Sequence, residues 1–286
     1  ILSTLSCFCS LFDEFNFFCN SCCMPELPEV ETVRIFLKNN IVQEKTLSIK
    51  IENSRLRFRI AQNIPSNLRN AIITKILRRG KYLIFLSSND FAILFHLGMT
   101  GFFRINKTYQ KRKHDHLIFN FTDKKLIFND VRKFGFVKIY PQKRVFQCSH
   151  LRSLGPEPLS SEFCKEYFSN FLKRRTTIKN LLMNQNFVAG LGNIYCSEIL
   201  FKSRVLPSRL VSDINQREIK RIIKSTKEIL LAAIKLGGTT IKNFIVSDQE
   251  VGYFKNKLMV YGRENLACTR CGDKNLIKRI YQSGRS

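Results

Sequence analysis

The chain is predicted to be an α+β protein of several domains, and three features of its 286 residues predict it. Short apolar runs separated by turn-forming residues fill the first half. Helical spacings fill the second half, beyond a Leu154-Gly155-Pro156-Glu157-Pro158 stretch. A Cys268-Thr269-Arg270-Cys271 pair stands near the end. At roughly 100–200 residues per domain the length accommodates about two compact units, and a chain of this size buries a real core.

The first element is a helix. Val30, Val33, Leu37 and Ile41 recur at spacings of three and four, which places them on one helical face. Pro28 suits the first turn, where a missing N–H is harmless. The runs Tyr82–Leu86, Phe91–Phe95, Leu117–Phe121, Leu126–Phe128 and Phe136–Tyr140 follow, with breaks such as Ser87-Ser88-Asn89-Asp90 and Thr122-Asp123-Lys124. Such spacing predicts an antiparallel sandwich or barrel rather than βαβ units. Leu154–Pro158 reads as a linker. Helical periods then cover Phe163–Leu172, Thr177–Asn186, Ile194–Phe201 and Ser212–Leu236, the last closed by Gly237-Gly238 as a glycine stop.

Lys and Arg outnumber Asp and Glu by 48 to 22, a formal charge of +26. Such an excess suits a polyanionic partner, either nucleic acid or an anionic membrane surface. The charge is spread through globular patterns instead of one amphipathic helix, which favours nucleic acid. Hydrophobic residues at 44% exclude a disordered chain, and no run reaches the ~20 apolar residues of a membrane span.

Cysteine placement redraws the boundaries. Cys7, Cys9, Cys19, Cys22 and Cys23 all precede Met24, in a segment that holds Asp13 and Glu14 but no Lys or Arg. A secretory signal would begin with positive charge. Residues 1–23 are therefore expected to be non-native or a leader removed before function, a genuine Cys-rich extension being the alternative. From Met24 onward sparse cysteines fit a reducing, cytoplasmic compartment.

The motif Met24-Pro25-Glu26-Leu27-Pro28-Glu29-Val30-Glu31-Thr32 resembles the start of formamidopyrimidine-DNA glycosylases, bacterial enzymes that excise oxidised purines. The resemblance continues, in the family's order, through Gly80-Lys81-Tyr82-Leu83, His96-Leu97-Gly98-Met99-Thr100-Gly101, Lys113-His114-Asp115-His116 and Arg132-Lys133-Phe134-Gly135. It extends through Leu154–Leu159, Gly190-Leu191-Gly192-Asn193-Ile194-Tyr195 and Tyr261-Gly262-Arg263. Each motif alone is weak; the ordered set is specific. Endonuclease VIII-like relatives usually carry Gly where this chain has Leu27, which makes that branch the second choice.

The resemblance implies a catalytic β-sandwich domain with a leading helix over 24–152 and a helix-two-turn-helix DNA-binding domain over 153–240. A lesion-loop region with an incomplete zinc ribbon would occupy 241–286. It implies catalytic roles for Pro25, Glu26, Lys81 and Arg285. Pro25 would be the nucleophile. A generic α-amine of pKa ~8 is about 10% neutral at pH 7, against roughly 0.04% for an ordinary Lys, and a neutral amine can capture an electrophilic sugar carbon as a Schiff base. This requires Pro25 to be the terminus, because an acylated Pro25 nitrogen cannot attack. Glu26 would move protons, which near neutrality needs a raised pKa. Glu29 and Glu31 are supporting candidates.

DNA contacts implied by the family are Met99, His114, Arg132, Phe134, Arg174, Lys179 and Asn193. Flipping a base out of a duplex takes a few kcal/mol, and Met99, Arg132 and Phe134 would fill the gap, two as apolar wedges. Gly190-Leu191-Gly192-Asn193 precedes a helix, so the backbone N–H groups of this turn can face a phosphate at the helix N-terminus. His96, His116 and His150 lack a metal-like grouping and are expected to be structural.

Cys268 and Cys271 form one zinc knuckle. A partner pair should follow after roughly 15–20 residues, beyond Ser286, and two thiolates cannot close a tetrahedral site. One zinc ion is expected of the full family pattern, with half of its ligands present here. Together these features predict a bifunctional glycosylase and abasic-site lyase of base-excision repair, acting as a cytoplasmic, nucleoid-associated monomer on damaged double-stranded DNA, with no membrane partner. A non-catalytic damaged-DNA-binding protein is the alternative if Pro25 is blocked.

Overall fold

The computed structural model describes residues 24–239 and 253–286. The expected leader, residue 240 at the end of the expected helical domain, and residues 241–252 of the expected lesion-loop region lie outside them.

Helix α1 spans Leu27–Ile41 and buries the predicted face. Eight strands follow. Four of them, β2 (Ile73–Arg79), β3 (Tyr82–Ser87), β4 (Phe91–His96) and β8 (Phe136–Pro141), form one antiparallel sheet in the order β2-β3-β4-β8. The others, β1 (Ser48–Ile51), β5 (Gly101–Asn106), β6 (Asp115–Asn120) and β7 (Lys125–Asp130), form a second in the order β1-β6-β7-β5. Phenylalanines stack between the sheets. Phe85 and Phe95 lie 4.7 Å apart by ring centroid, Phe95 and Phe103 5.1 Å, and Phe103 and Phe128 5.1 Å. Each is essentially inaccessible to water, and full burial of such a side chain contributes about 1.5–3 kcal/mol.

Three strands escape the sequence reading: β1, β2 and β5. Each carries cations among its apolar residues, including Lys75, Arg78 and Arg79 in β2 and Arg104 in β5. A short helix α2, Ile64–Leu68, is also absent from it.

The second half contains α3 (Lys165–Ser169), α4 (Ile178–Met183), α5 (Asn193–Ser203) and α6 (Gln216–Lys235). The stretch expected to be helical over Phe163–Leu172 is helical only at its centre. Phe163 and Phe171 instead turn their rings onto Phe187, 6.0 and 4.8 Å away. Asn215 caps α6 by accepting from Arg217 and Glu218 amides, and Gly237 follows at φ +74°.

Helix α1 belongs to both halves. Val30, Val33, Leu37 and Ile41 pack into the sandwich core, whereas Leu27 packs among Leu191, Ile194 and Tyr195 of the helical core. The residues just before it, Pro25 and Glu26, are thereby fixed where the halves meet. The tail forms a small hairpin of β9 (Ala267–Cys268) and β10 (Gly272–Leu276). Glu198 of α5 anchors the segment before it by accepting from the amides of Met259, Val260 and Tyr261. Among the described residues no helix is long and apolar enough to cross a membrane.

Candidate active site and DNA-facing loops

Glu26 is buried, and its carboxylate reaches the N-terminus of α5. It accepts from the amides of Ile194 at 2.9 Å and Tyr195 at 3.4 Å. A helix N-terminus carries unpaired donors and a positive dipole end, so a carboxylate is stabilised there. Glu26 thereby takes the amides of Ile194 and Tyr195, which lie just beyond the Gly190-Leu191-Gly192-Asn193 turn whose own amides are expected to face a phosphate. The surrounding glycines make the approach possible. A Cβ at Gly192 would stand 2.4 Å from the Glu26 carboxyl carbon, and one at Gly190 would stand 2.7 Å from Leu27 Cβ.

Burial pushes the Glu26 carboxyl up to about 7, Lys81 opposing and Glu29 adding to the rise. Glu29 holds the backbone in place. Its Oε2 accepts from the Glu26 amide at 2.9 Å, and its Oε1 accepts from the Tyr195 hydroxyl at 2.7 Å and the Thr239 amide at 2.8 Å. Burial and the Glu29 charge raise the Tyr195 phenol far above its ordinary range, so it remains a neutral donor.

Lys81 leaves the β2–β3 turn toward the same place. Its Nζ lies 2.8 Å from where a Gly192 Cβ would stand. Glu157, in the linker between the halves, fixes this turn by accepting from Gly80 N at 2.7 Å, Arg78 Nη1 at 2.6 Å and Arg79 Nη1 at 3.0 Å. From the helical half comes Lys179, buried, its ammonium donating to the Ser286 carbonyl at 2.7 Å. Burial lowers its pKa, as does neighbouring Arg285, while Cys196 and Glu26 oppose. Arg285 sits in a tight turn paired with Gln282. Pro25, Glu26, Lys81, Lys179, Asn193 and Arg285 are thus gathered around the start of α5. The side-chain Oδ1 of Asn193 is buried without a partner among the described residues.

The remaining DNA candidates lie on loops. Met99 is on the β4–β5 loop, and Arg132 and Phe134 are on the β7–β8 loop. Phe134 is 47% exposed, with the Arg132 guanidinium 4.9 Å above its ring. A cavity of about 450 Å³ joins Met24 to Arg57, His96, Gly98, Arg132, Lys133 and Phe134, linking the Pro25 end to these loops. His114 ends the β5–β6 loop at φ +71°. Arg174 is exposed on the helical half, stacked 5.0 Å over Phe171.

His116 is structural as expected, its ring nitrogens against the Asn53 and Asp130 carbonyls. His96 does more than pack. It stacks on Phe136 and lines the cavity, while burial, with Lys81 and Arg57 nearby, lowers its pKa to about 4. Arg57 has no signal in the sequence beyond its charge. Cys268 and Cys271 are in thiol–thiol contact, but no cluster of three or more His, Cys, Asp or Glu side chains stands ready for a metal among the described residues. The residues present do not fit a structural zinc site.

Residues 24–137 match the formamidopyrimidine-DNA glycosylase N-terminal domain, and residues 154–245 match its H2TH domain. A formamidopyrimidine-DNA glycosylase of Rickettsia felis is 41% identical over 267 residues, covering 92% of this chain and 95% of that protein. The chain belongs to the formamidopyrimidine-DNA glycosylase family. A homologue from Rickettsia canadensis is 40% identical, covering 92% and 96% of the two chains. Among solved structures, a Lactococcus lactis variant bound to Fapy-dG-containing DNA superposes with a TM-score of 0.85 at 37% identity, covering 91% and 96%. A MutM complex with carbocyclic 8-oxo-G-containing DNA gives 0.83 at 38% identity, with the same coverage. The α+β architecture, two antiparallel sheets followed by a helical domain, is that of the family, and the chain is a base-excision-repair DNA glycosylase with associated abasic-site lyase activity.

Proposed function

We propose that this chain excises oxidised purines from duplex DNA through the imino nitrogen of Pro25, and that Glu26 supplies the proton the leaving base requires. The observation that carries this reading is the Pro25-Glu26 dipeptide seated on the N-terminus of α5 beside Lys81, with the Glu26 carboxyl raised to about 7. The step requires a secondary amine, hence a polypeptide whose first residue is Pro25.

The Pro25 lone pair attacks C1′ of the deoxyribose as the N-glycosidic bond breaks. The bonding pair leaves with the base, which takes up the Glu26 proton. The proton of the proline nitrogen passes to O4′ as the nitrogen lone pair breaks the C1′–O4′ bond, and the opened sugar is held as the Schiff base. Loss of a C2′ proton then expels the 3′ phosphate, and a second elimination expels the 5′ phosphate. Lys81, Lys179, Asn193 and Arg285 hold the phosphates around the lesion, and His114 and Arg174 bind flanking phosphates. Met99, Arg132 and Phe134 enter the duplex where the base has left. The +26 charge supports this use, since phosphate neutralisation supplies much of the affinity for DNA. The chain works as a cytoplasmic, nucleoid-associated monomer.

The test is borohydride trapping on 8-oxoguanine duplex with a polypeptide beginning at Pro25. A covalent complex is expected, and Pro25→Gly loses most of both trapping and base release. Unchanged trapping by Pro25→Gly overturns the assignment. A duplex with an oxidised pyrimidine, run in parallel, is expected to react more slowly; the reverse order favours an endonuclease VIII-like specificity.

A further inference from the structure

Two loops carry the side chains assigned to duplex insertion, and they touch each other through backbone. A Cβ at Gly98 would stand 2.3 Å from the amide nitrogen of Gly135, so the β4–β5 and β7–β8 loops are packed main chain to main chain. Contact alone does not fix their relative position. A buried carboxylate does. Asp130, the last residue of β7, has no exposed surface. Its Oδ1 accepts from the Thr100 hydroxyl at 2.5 Å and its Oδ2 from the Gly135 amide at 2.8 Å. The Thr100 oxygen in turn accepts from the Arg132 amide at 2.9 Å.

Every member of the inserting trio is therefore adjacent to this network. Met99 precedes Thr100, the Arg132 backbone donates to Thr100, and Phe134 precedes Gly135. The Asp130 backbone reaches further, since its amide donates to the His114 carbonyl at 3.1 Å and its carbonyl lies 3.0 Å from the His116 ring. A charge with no exposed surface is retained only where donors satisfy it, and those donors come from both loops.

We propose that Asp130 and Thr100 are positioning residues that lock the two loops into one rigid wedge, so that Met99, Arg132 and Phe134 enter the duplex together. The inference rests on the assignment of these three as inserted side chains. Without the lock each loop retains its residues but loses their common placement, and a misplacement of about 1 Å at such a constellation is enough for a rate loss near 10²-fold. Steps that need no duplex opening are indifferent to it.

The decisive variant is Thr100→Val, which removes the bridging hydroxyl from a half-buried site while leaving Asp130 and the fold in place. Thr100→Ser keeps the hydroxyl. Two readouts separate positioning from general damage: single-turnover excision of 8-oxoguanine in duplex, and borohydride trapping on single-stranded DNA holding a preformed abasic site. Thr100→Val is expected to slow duplex excision at least tenfold while single-strand trapping stays within twofold, and Thr100→Ser is expected to restore the duplex rate to within threefold. Phe134→Ala serves as the reference. If it slows duplex excision and Thr100→Val does not, the lock is refuted and insertion stands. If Phe134→Ala also leaves the duplex rate unchanged, the insertion assignment itself fails. Equal loss of both readouts in Thr100→Val, or no recovery in Thr100→Ser, likewise overturns the lock.

Discussion

The carboxylate of Glu26 lies 2.9 Å from the amide of Ile194, a residue 168 positions away in the chain. One hydrogen bond thus joins the segment before the first helix to the N-terminus of a helix in the other half. It sets Glu26, the proposed proton donor, beside Pro25, the proposed nucleophile, and it exists because Gly192 has no side chain.

The first expectation concerns pH. Burial raises the Glu26 carboxyl to about 7, so its acid form is half populated there and falls about tenfold per pH unit above. Single-turnover base excision should decline accordingly above pH 7. Trapping on a preformed abasic site needs no leaving-base proton and should show no such decline. Glu26→Gln should lose roughly 10²–10⁴-fold in excision while its abasic-site trapping stays within a few fold. Equal loss of both activities would remove Glu26 as the acid.

The same group links stability to pH. Its folded pKa stands above its unfolded value of 4.5, so the folded state binds the proton more tightly. The contribution is complete below pH 4.5 and lost as pH rises through about 7. At roughly 1.4 kcal/mol per pKa unit, the buried anion opposes folding by about 3 kcal/mol at pH 8. Glu26→Gln should therefore be more stable than the parent at pH 8, with the difference shrinking by pH 5, in denaturant unfolding at the two pH values. A parent that outlasts the variant at pH 8 would contradict the raised pKa.

Gly192→Ala tests the close approach. The new Cβ would sit 2.4 Å from the Glu26 carboxyl carbon and 2.8 Å from Lys81 Nζ, and one of them must move. Overpacking of this kind destabilises by about 1–3 kcal/mol. Excision should fall by about 10²-fold, and the pH limb assigned to Glu26 should shift. An alanine enzyme with parental rate and pH profile would show that the carboxylate need not sit there.

Local signals made much of this fold legible and left its long-range pairings hidden. Helix α1 and the strands Tyr82–Ser87 and Phe91–His96 announce themselves through neighbouring apolar residues. Strand β2 does not, because Arg78 and Arg79 are neutralised by Glu31 and Glu157, partners dozens of residues away. Strand β5 is hidden in the same way by Arg104. Phe163 and Phe171 show the opposite failure, apolar residues at helical spacing that serve ring packing instead. At the site, family motifs supplied the residue names. They could not show that the glycines before Asn193 make room for Glu26, or that Asp130 joins two loops, since both facts depend on contacts made only after folding.

Arg104 and Asp115 form a buried ion pair whose removal should separate stability from DNA binding. The guanidinium meets both carboxylate oxygens, at 2.6 and 2.7 Å. Burial alone would raise the Asp115 carboxyl, but Arg104, Asn129 and the Arg112 amide hold it below its ordinary range. The pair thus contributes at neutral pH, and its share is lost as pH falls through the lowered value. It also ties down the basic loop Lys107–His114, because Asp115 accepts from the Arg112 amide at 2.9 Å and Arg104 donates to the Gln110 carbonyl at 3.1 Å. Arg104→Leu leaves a buried carboxylate unpaired and should destabilise by about 3–5 kcal/mol at pH 7. Adding Asp115→Leu should recover most of that loss, since two apolar groups replace the pair. Loop placement should not recover. The double variant should bind duplex DNA more weakly and with a shallower salt dependence, the outcome expected where the displaced loop, with Lys111, Arg112, Lys113 and His114, meets phosphates as proposed for His114. Titrations of Kd against salt check this, and a double variant with parental slope and affinity would show that the loop finds DNA without the pair.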